Sequence, residues 1–404
     1  MDKIILTLLT FFLIFGCSDT EKKKKGSKIE ATEINPEKTE FVNTSSIISN
    51  VKYLKLSEEG GNYIGQIEKV LLKNNKIYVL DAEQSLALYV YNEEGRLLFD
   101  ISNYGRGPGE FMSPNDFDVD LKNNQIIIYD TGGSKFIYYN SNNGEYIEEK
   151  TFKHRLSRFK KIESGYLIFM NNVLTNSMDD SHNMLITDND FNIREESIDI
   201  DPDLIDYHYN LPTNFSVFND KVFFTAPSDY IIYSYDKEKF KKIKKIDFGE
   251  KELPESFFEE KENVIERIKL LEEYANNISN YYEAEDFSFF TYRYKRNHNY
   301  VFASNKENKM LHTSNIKLKD DIGLGPMMRR PIQIKGDTLV WFQQSTSLVE
   351  YISNKKKKGS EWSSLKQKNP SLVAFEKEID KNDNPYLIFT KIDPVILFLQ
   401  NLFF

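Results

Sequence analysis

Four stretches of the chain repeat one unit, and that repetition constrains the fold more than any other feature. "NNKIYVLDAEQSLALYVYNEEGRLL" starts at Asn74, "NNQIIIYDTGGSKFIYYNSNNGEYI" at Asn123, "NDKVFFTAPSDYIIYSYDKEKFKKI" at Asn219 and "GDTLVWFQQSTSLVEYISNKKKKG" at Gly336. Each reads as a polar turn, a strand of alternating apolar residues, a break, a second strand rich in aromatics, and a charged turn. Weaker copies begin at Glu163 and His298. The first two full copies are 49 residues apart and the next two 96, close to two units with a weaker copy between. Units of several short strands at such a period are blades of a propeller. One four-stranded sheet cannot bury both faces, but sheets set around an axis cover one another. Six copies predict an all-β, six-bladed β-propeller. A pair of β-sandwiches accounts less well for the self-similarity. The 14% aromatic content, with 30 Phe and 24 Tyr, favours pleated, half-buried surfaces.

One segment departs from the strand pattern. Residues 254–282 carry a capping box at Ser256 and Glu259, and apolar residues from Val264 to Ile278 recur at three- and four-residue spacing. A helical insertion decorating a blade edge is expected there, with a partner-binding helix as the alternative. A second, weaker helical stretch lies near 361–380.

The N-terminus carries an address. The apolar run "IILTLLTFFLIFG" follows Lys3 and ends at Cys17, the only cysteine. It is short for a membrane span. It resembles a bacterial lipoprotein signal peptide, which implies cleavage after residue 16 and lipid on Cys17; Phe15 is bulkier than such signals usually carry. Residues 17–44 are charged and poor in large apolar side chains, so a flexible tether is expected. The propeller is expected over 45–393, followed by an apolar tail at 394–404 that is too short to span a membrane. Strands from both chain ends, 51–57 and 385–392, should pair and close the ring, because bare strand edges invite aggregation.

Between the first two blades stands "YGRGPGEF", residues 104–111. Gly105, Gly107 and Gly109 permit turns barred to other residues, and Pro108 stiffens them. A reduced copy, "IGLGPMMRRP", precedes the last blade. A device used at two junctions reads as a structural brace. A ligand-facing role through Arg106 and Glu110 is the alternative. No Lys-Ser/Thr follows, so this is not a phosphate-binding loop. Arg329 and Arg330 form a candidate anion-binding pair at the channel mouth, with solvated charge as the plainer reading.

Few residues suggest chemistry. The five histidines, His154, His182, His208, His298 and His312, show no metal-ligand spacing. "DNDFN", residues 188–192, lacks the glycine of a calcium loop and reads as a hairpin turn. No metal or cofactor is expected. The net charge of −9 argues against a nucleic-acid partner.

The run from "IGQIEKVLLKNNKIYVLD" through "GRGPGEF" to "PNDFDVDLKNNQIIIYD", with "NDNPYLIFTKI" near the end, resembles the six-bladed, NHL-repeat-like propeller lipoproteins of Bacteroidetes. The resemblance covers about residues 45–393 and implies no established reaction. It implies a membrane-anchored protein of the cell envelope, with the outer membrane expected and its face left open. The expected function is a non-catalytic binding module for a glycan, a peptide or an envelope protein. The alternative is a hydrolase or lyase using polar groups at the mouth of the central channel; the scarcity of histidine and the lack of a catalytic motif favour binding.

Overall fold

The computed structural model describes residues 29–58, 61–174, 181–205, 208–209, 214–227, 229–237, 239–257, 264–325 and 330–399. Their strands form six sheets. Blade 1 consists of Lys69–Lys73, Lys76–Asp81, Ala87–Asn92 and Leu97–Ile101. Blade 2 consists of Pro114–Asp120, Gln125–Asp130, Lys135–Asn140 and Tyr146–Thr151. Blade 3 consists of Arg158–Ile162, Gly165–Phe169, His182–Thr187 and Ile193–Asp199. In blades 4 and 5 the first strands are Phe215–Phe218 and Asn276–Glu283, and the fourth are Phe240–Asp247 and Met310–Lys319. The first strands of blades 6, 1, 2 and 3 touch in turn, as do those of blades 4 and 5, so they line the axis.

Blade 6 closes the ring as expected. Its sheet runs Gln333–Lys335, Thr338–Gln343, Tyr386–Ile392 and then Ile48–Lys55 from the N-terminal part of the chain. Leu387 stands opposite Leu54, and Thr390 opposite Val51, in antiparallel register.

Strand alternation explains the packing. Tyr78 and Leu80 face blade 2, where they meet Phe117 and Ile126. Ile77 and Val79 point the other way, to Val340 and Leu387 of blade 6. The same logic gives one buried cluster at each of the six blade interfaces. Each fully buried large apolar side chain in them contributes about 1.5–3 kcal/mol.

Three expectations need correction. The helix expected over 254–282 is a single turn at Glu255–Phe257 and a helix, α1, at Val264–Leu271; Asn276–Glu283 is the axial strand of blade 5. That strand is bulged at two places, with Asn277 and Asn280 at positive φ. The bulges space the buried Ala275, Ile278 and Tyr281 three apart, which mimics a helical period in the sequence. Residues 17–28 of the expected tether lie outside the described residues, and within the rest of it Glu30–Glu33 and Glu40–Asn43 are strands. These add in parallel to the outer strands of blades 4 and 5 and cover edges that would otherwise stay unpaired.

The second half of the last repeat is not a strand. It forms α2, Ser345–Lys357, followed by α3, Gly359–Lys368, and α4, Ser371–Glu378. Leu348 and Ile352 of α2 face the core at helical spacing, and Lys355 to Lys357 complement the negative end of its dipole. Trp362, Leu365, Leu372 and Phe375 complete a cap on blade 6, and Phe375 stacks on Tyr53 at 4.1 Å. The tail is ordered in part: α5, Pro394–Leu399, buries Leu397 and Phe398 in the same cluster.

Candidate functional site

The mouth of the channel is built by side chains that grip backbone. Asp81 ends the second strand of blade 1 and accepts the N–H groups of Gly65, Gln66, Glu83 and Gln84 at 2.8–3.2 Å. Burial pushes its carboxyl up, but these N–H groups hold it below its ordinary value. Asp130, at the same place in blade 2, accepts from Met112, Ser113 and Gly132. In blade 3 the position belongs to Asn171, at φ +56, which donates to the carbonyl of Tyr209 at 2.9 Å and accepts its N–H at 3.2 Å. Each grip fixes the crossing from one blade to the next.

Between these crossings lies a cleft of about 630 Å³ walled by blades 1, 2 and 3. Arg158 forms its floor. Its guanidinium is buried, pairs with Glu68 and donates to the carbonyls of Asn115 at 3.0 Å and Ser157 at 3.1 Å. Asn115 donates to the Ser157 carbonyl at 2.7 Å. The ring Nδ1 of His208 lies 3.0 Å from the Asn171 carbonyl. Arg155 stands exposed on the rim. The groups facing the cleft are thus hydrogen-bonding and largely held in place by one another, a surface suited to recognising a polar ligand.

Below the mouth the charges continue. Asp116, Asp118 and Asp120 alternate along the axial strand of blade 2, so they share one face. Asp116 pairs with Lys69 at 2.7 Å and accepts the Phe159 N–H at 2.7 Å. Asp118 pairs with Lys160 at 2.7 Å, accepts the Lys161 N–H at 2.9 Å, and has Lys73 at 3.5 Å. Asp120 lies 3.8 Å from Lys161. Burial pushes the Asp118 carboxyl up, but Lys160, Lys73 and Lys69 outweigh it and hold the carboxyl far below its ordinary value. Burial also pushes the Lys160 ammonium down, against the pull of Asp118. Carboxylates of one strand thus tie the axial strands of three blades together.

The sequence-derived candidates lie elsewhere. Glu110 folds back beneath its own loop and accepts the Gly107 N–H at 2.7 Å. A Cβ on Gly105 would fall 2.0 Å from that carboxylate. Gly109, at φ +71, lies so close to the ring of Tyr146 that a Cβ would stand 2.7 Å from it. Its carbonyl accepts from Tyr139 at 2.9 Å, and its N–H donates to Glu149 at 3.2 Å. Pro108 is exposed within the loop, and Arg106 is exposed with its Nε 3.0 Å from the Met112 sulfur. Neither Arg106 nor Glu110 lines the cleft. Arg330 is half-buried and also lies outside the cleft's lining, while Arg329 and Cys17 fall outside the described residues. The second glycine loop is held the same way as the first: Asp320 accepts the N–H groups of residues 322 to 325. Among the described residues no group of three or more His, Cys, Asp or Glu side chains is placed to hold a metal. Residues 188–192 form a hairpin turn whose Asp188 accepts the N–H groups of Asp190 and Asn192.

The cleft residues escaped sequence reading because each comes singly from a different crossing. The alternating acids of "DFDVD" were the one available signal for the channel.

The family model described as "Domain of unknown function (DUF4934)" matches residues 28–391. A Bacteroides fragilis chain named "Putative exported protein" superposes with a TM-score of 0.73 at 19% identity, over 91% of this chain and 100% of that one. A DUF4221-family member from Bacteroides vulgatus superposes with a TM-score of 0.50 at 12% identity, over 86% of this chain and 97% of that one. At these identities the likeness is one of fold. No curated protein matches the sequence.

Proposed function

The chain belongs to the DUF4934 family, and from that membership and the mouth of its channel we propose that it is a lipid-anchored, non-catalytic binding propeller of the cell envelope. The cleft between blades 1 and 3 carries this reading. Its buried cation, Arg158, is committed to Glu68 and to two carbonyls, and its Asn171 amide grips backbone. These contacts hold the wall in place, so the exposed Arg155 and His208 on its rim can meet a glycan or peptide with little rearrangement. The envelope address rests on the apolar run that ends at Cys17. It is supported by the name of the Bacteroides fragilis chain, which speaks of export. Among the described residues no helix is long and apolar enough to cross a membrane.

The test is a glycan array and a pull-down from envelope extract, run with the wild type and with Arg155→Ala and His208→Ala. Both residues sit on the exposed rim, so folding should persist. Ligands retained by the wild type and lost by both variants support the cleft as the binding site. Retention unchanged in both variants would place binding elsewhere.

A further inference from the structure

The opposite end of the ring is chemically different. The axial strand of blade 1 runs from Lys69 near the mouth to Lys73 at the far face. There a cleft of about 590 Å³ lies across the seam where blade 6 meets blade 1. The protein carries a net charge of −9. Yet five lysines line this one cleft, against two carboxylates, Glu93 and Glu94.

Not all of those lysines are compensated. Lys335 reaches across the seam to Glu93 at 2.9 Å, and Lys391 lies 3.5 Å from Asp337. Lys73 is drawn towards Asp118 and the Val119 carbonyl. Among the described residues Lys52 and Lys76 have no carboxylate within ion-pair distance. The Lys76 ammonium turns away from the seam towards blade 2, where it donates to the Ser141 carbonyl at 2.7 Å and lies over the Phe99 ring. The Lys52 ammonium sits 5.8 Å from the centroid of the Phe389 ring. The floor of the cleft is apolar, formed by Phe389, Leu72 and Ile77.

We propose that the seam cleft binds a small organic anion, a phosphate or carboxylate joined to a ring or chain that lies on Phe389. Lys52 supplies the uncompensated charge, with Lys335 and Lys391 beside it. The ligand would bridge blades 6 and 1 at the joint where the two chain ends meet. A charge-assisted contact at a partly enclosed site is about twice as strong as a neutral one, and screening at physiological salt leaves enclosed pairs largely intact.

The experiment is calorimetric titration of the folded protein at physiological salt with glucose 6-phosphate and with glucuronate. Flotation with phosphatidylglycerol vesicles forms a separate arm. Lys52→Glu is compared with the wild type, and Lys122→Glu, an exposed lysine already paired with Glu163 at 2.8 Å, is the control. Saturable binding of a soluble anion that weakens about tenfold or more in Lys52→Glu, and about twofold or less in Lys122→Glu, supports the site and a free ligand. Vesicle binding alone, with the same dependence on Lys52, supports the site and assigns it a lipid headgroup. Absence of saturable binding in every arm, or binding indifferent to Lys52→Glu, overturns the proposal.

Discussion

The amide of Ile64 donates to the side-chain carbonyl of Asn384 across 2.9 Å of space and 320 positions of sequence. Asn384 also donates to the carbonyls of Ser57 and Asn62, and its own N–H donates to Glu58. One buried amide therefore fastens the last blade to the first. Asn384→Ala leaves several of these groups unpaired, each costing about 1–3 kcal/mol if it stays dry. We expect a loss of about 2–4 kcal/mol in denaturant unfolding, and a loss under about 0.5 kcal/mol would show that the clasp is incidental.

Gly95 tests the same joint from another side. It has φ +78, and a Cβ there would fall 2.0 Å from the carbonyl of Lys55, on the N-terminal strand that completes blade 6. That obstacle is backbone and cannot swing aside. Gly95→Ala should cost about 2 kcal/mol or more, since conformational strain and displacement act together. An unchanged melting temperature would contradict it.

The channel charges should behave as a unit. Asp118→Ala removes the partner of Lys160 and strands a buried ammonium, at a cost of about 3–5 kcal/mol. The double variant Asp118→Leu with Lys160→Met replaces the pair by apolar groups and should recover most of that loss. If the double variant is as unstable as the sum of its parts, packing around the pair is what matters, and its charge is not.

His312 should give stability a pH dependence. Its ring is buried beneath the N-terminal segment, with Nε2 2.7 Å from the Tyr292 hydroxyl, and burial pushes its pKa down from 6.5 to about 4. Between those values the unfolded chain binds the extra proton, so stability rises with pH there. The contribution is fully present above pH 6.5 and lost as pH falls towards 4, with a span on the order of 3 kcal/mol. His312→Gln should flatten the slope of unfolding free energy against pH in that window. An equal slope in both proteins would remove His312 as its origin.

Cys17→Ala should move the protein from membrane to soluble fractions on cell fractionation. The motive is the apolar run that meets the only cysteine. Continued sedimentation of the variant with membranes would remove the lipid anchor from the proposal.

The ring was legible in the sequence because alternation survives wherever a strand is regular. "KIYVLD" and "QIIIYD" reveal themselves by apolar residues with Tyr at intervals, and both end in the aspartate that grips the mouth. Legibility failed where bulges reset the period, at Asn276–Glu283, and where a strand-like residue count hid a helix, at Ser345–Lys357. Glu110, read from the sequence as a candidate ligand-facing residue, accepts the Gly107 N–H within its own loop. The cleft was illegible because Glu68, Asn115, Arg158, Asn171 and His208 are remote in sequence and ordinary alone. Their significance is relational, and local pattern does not encode it.

The N-terminal segment carries a consequence for how the molecule comes into being. Its strands Glu30–Glu33, Glu40–Asn43 and Ile48–Lys55 pair respectively with Phe240–Asp247, Met310–Lys319 and Tyr386–Ile392. Emerging from the ribosome or a translocon, the part of the chain made early must wait for partners made late, the last of them near the very end. Blades 1 to 3 can assemble as they appear, whereas the leading strands find their partners one at a time, the first at Phe240–Asp247 and the last only at Tyr386–Ile392. A pause or truncation before Phe240 leaves three sticky edges open at once, and one between Lys319 and Tyr386 still leaves Ile48–Lys55 without its partner. Synthesis of Tyr386–Ile392, more than any earlier step, is the event that makes the ring safe from aggregation.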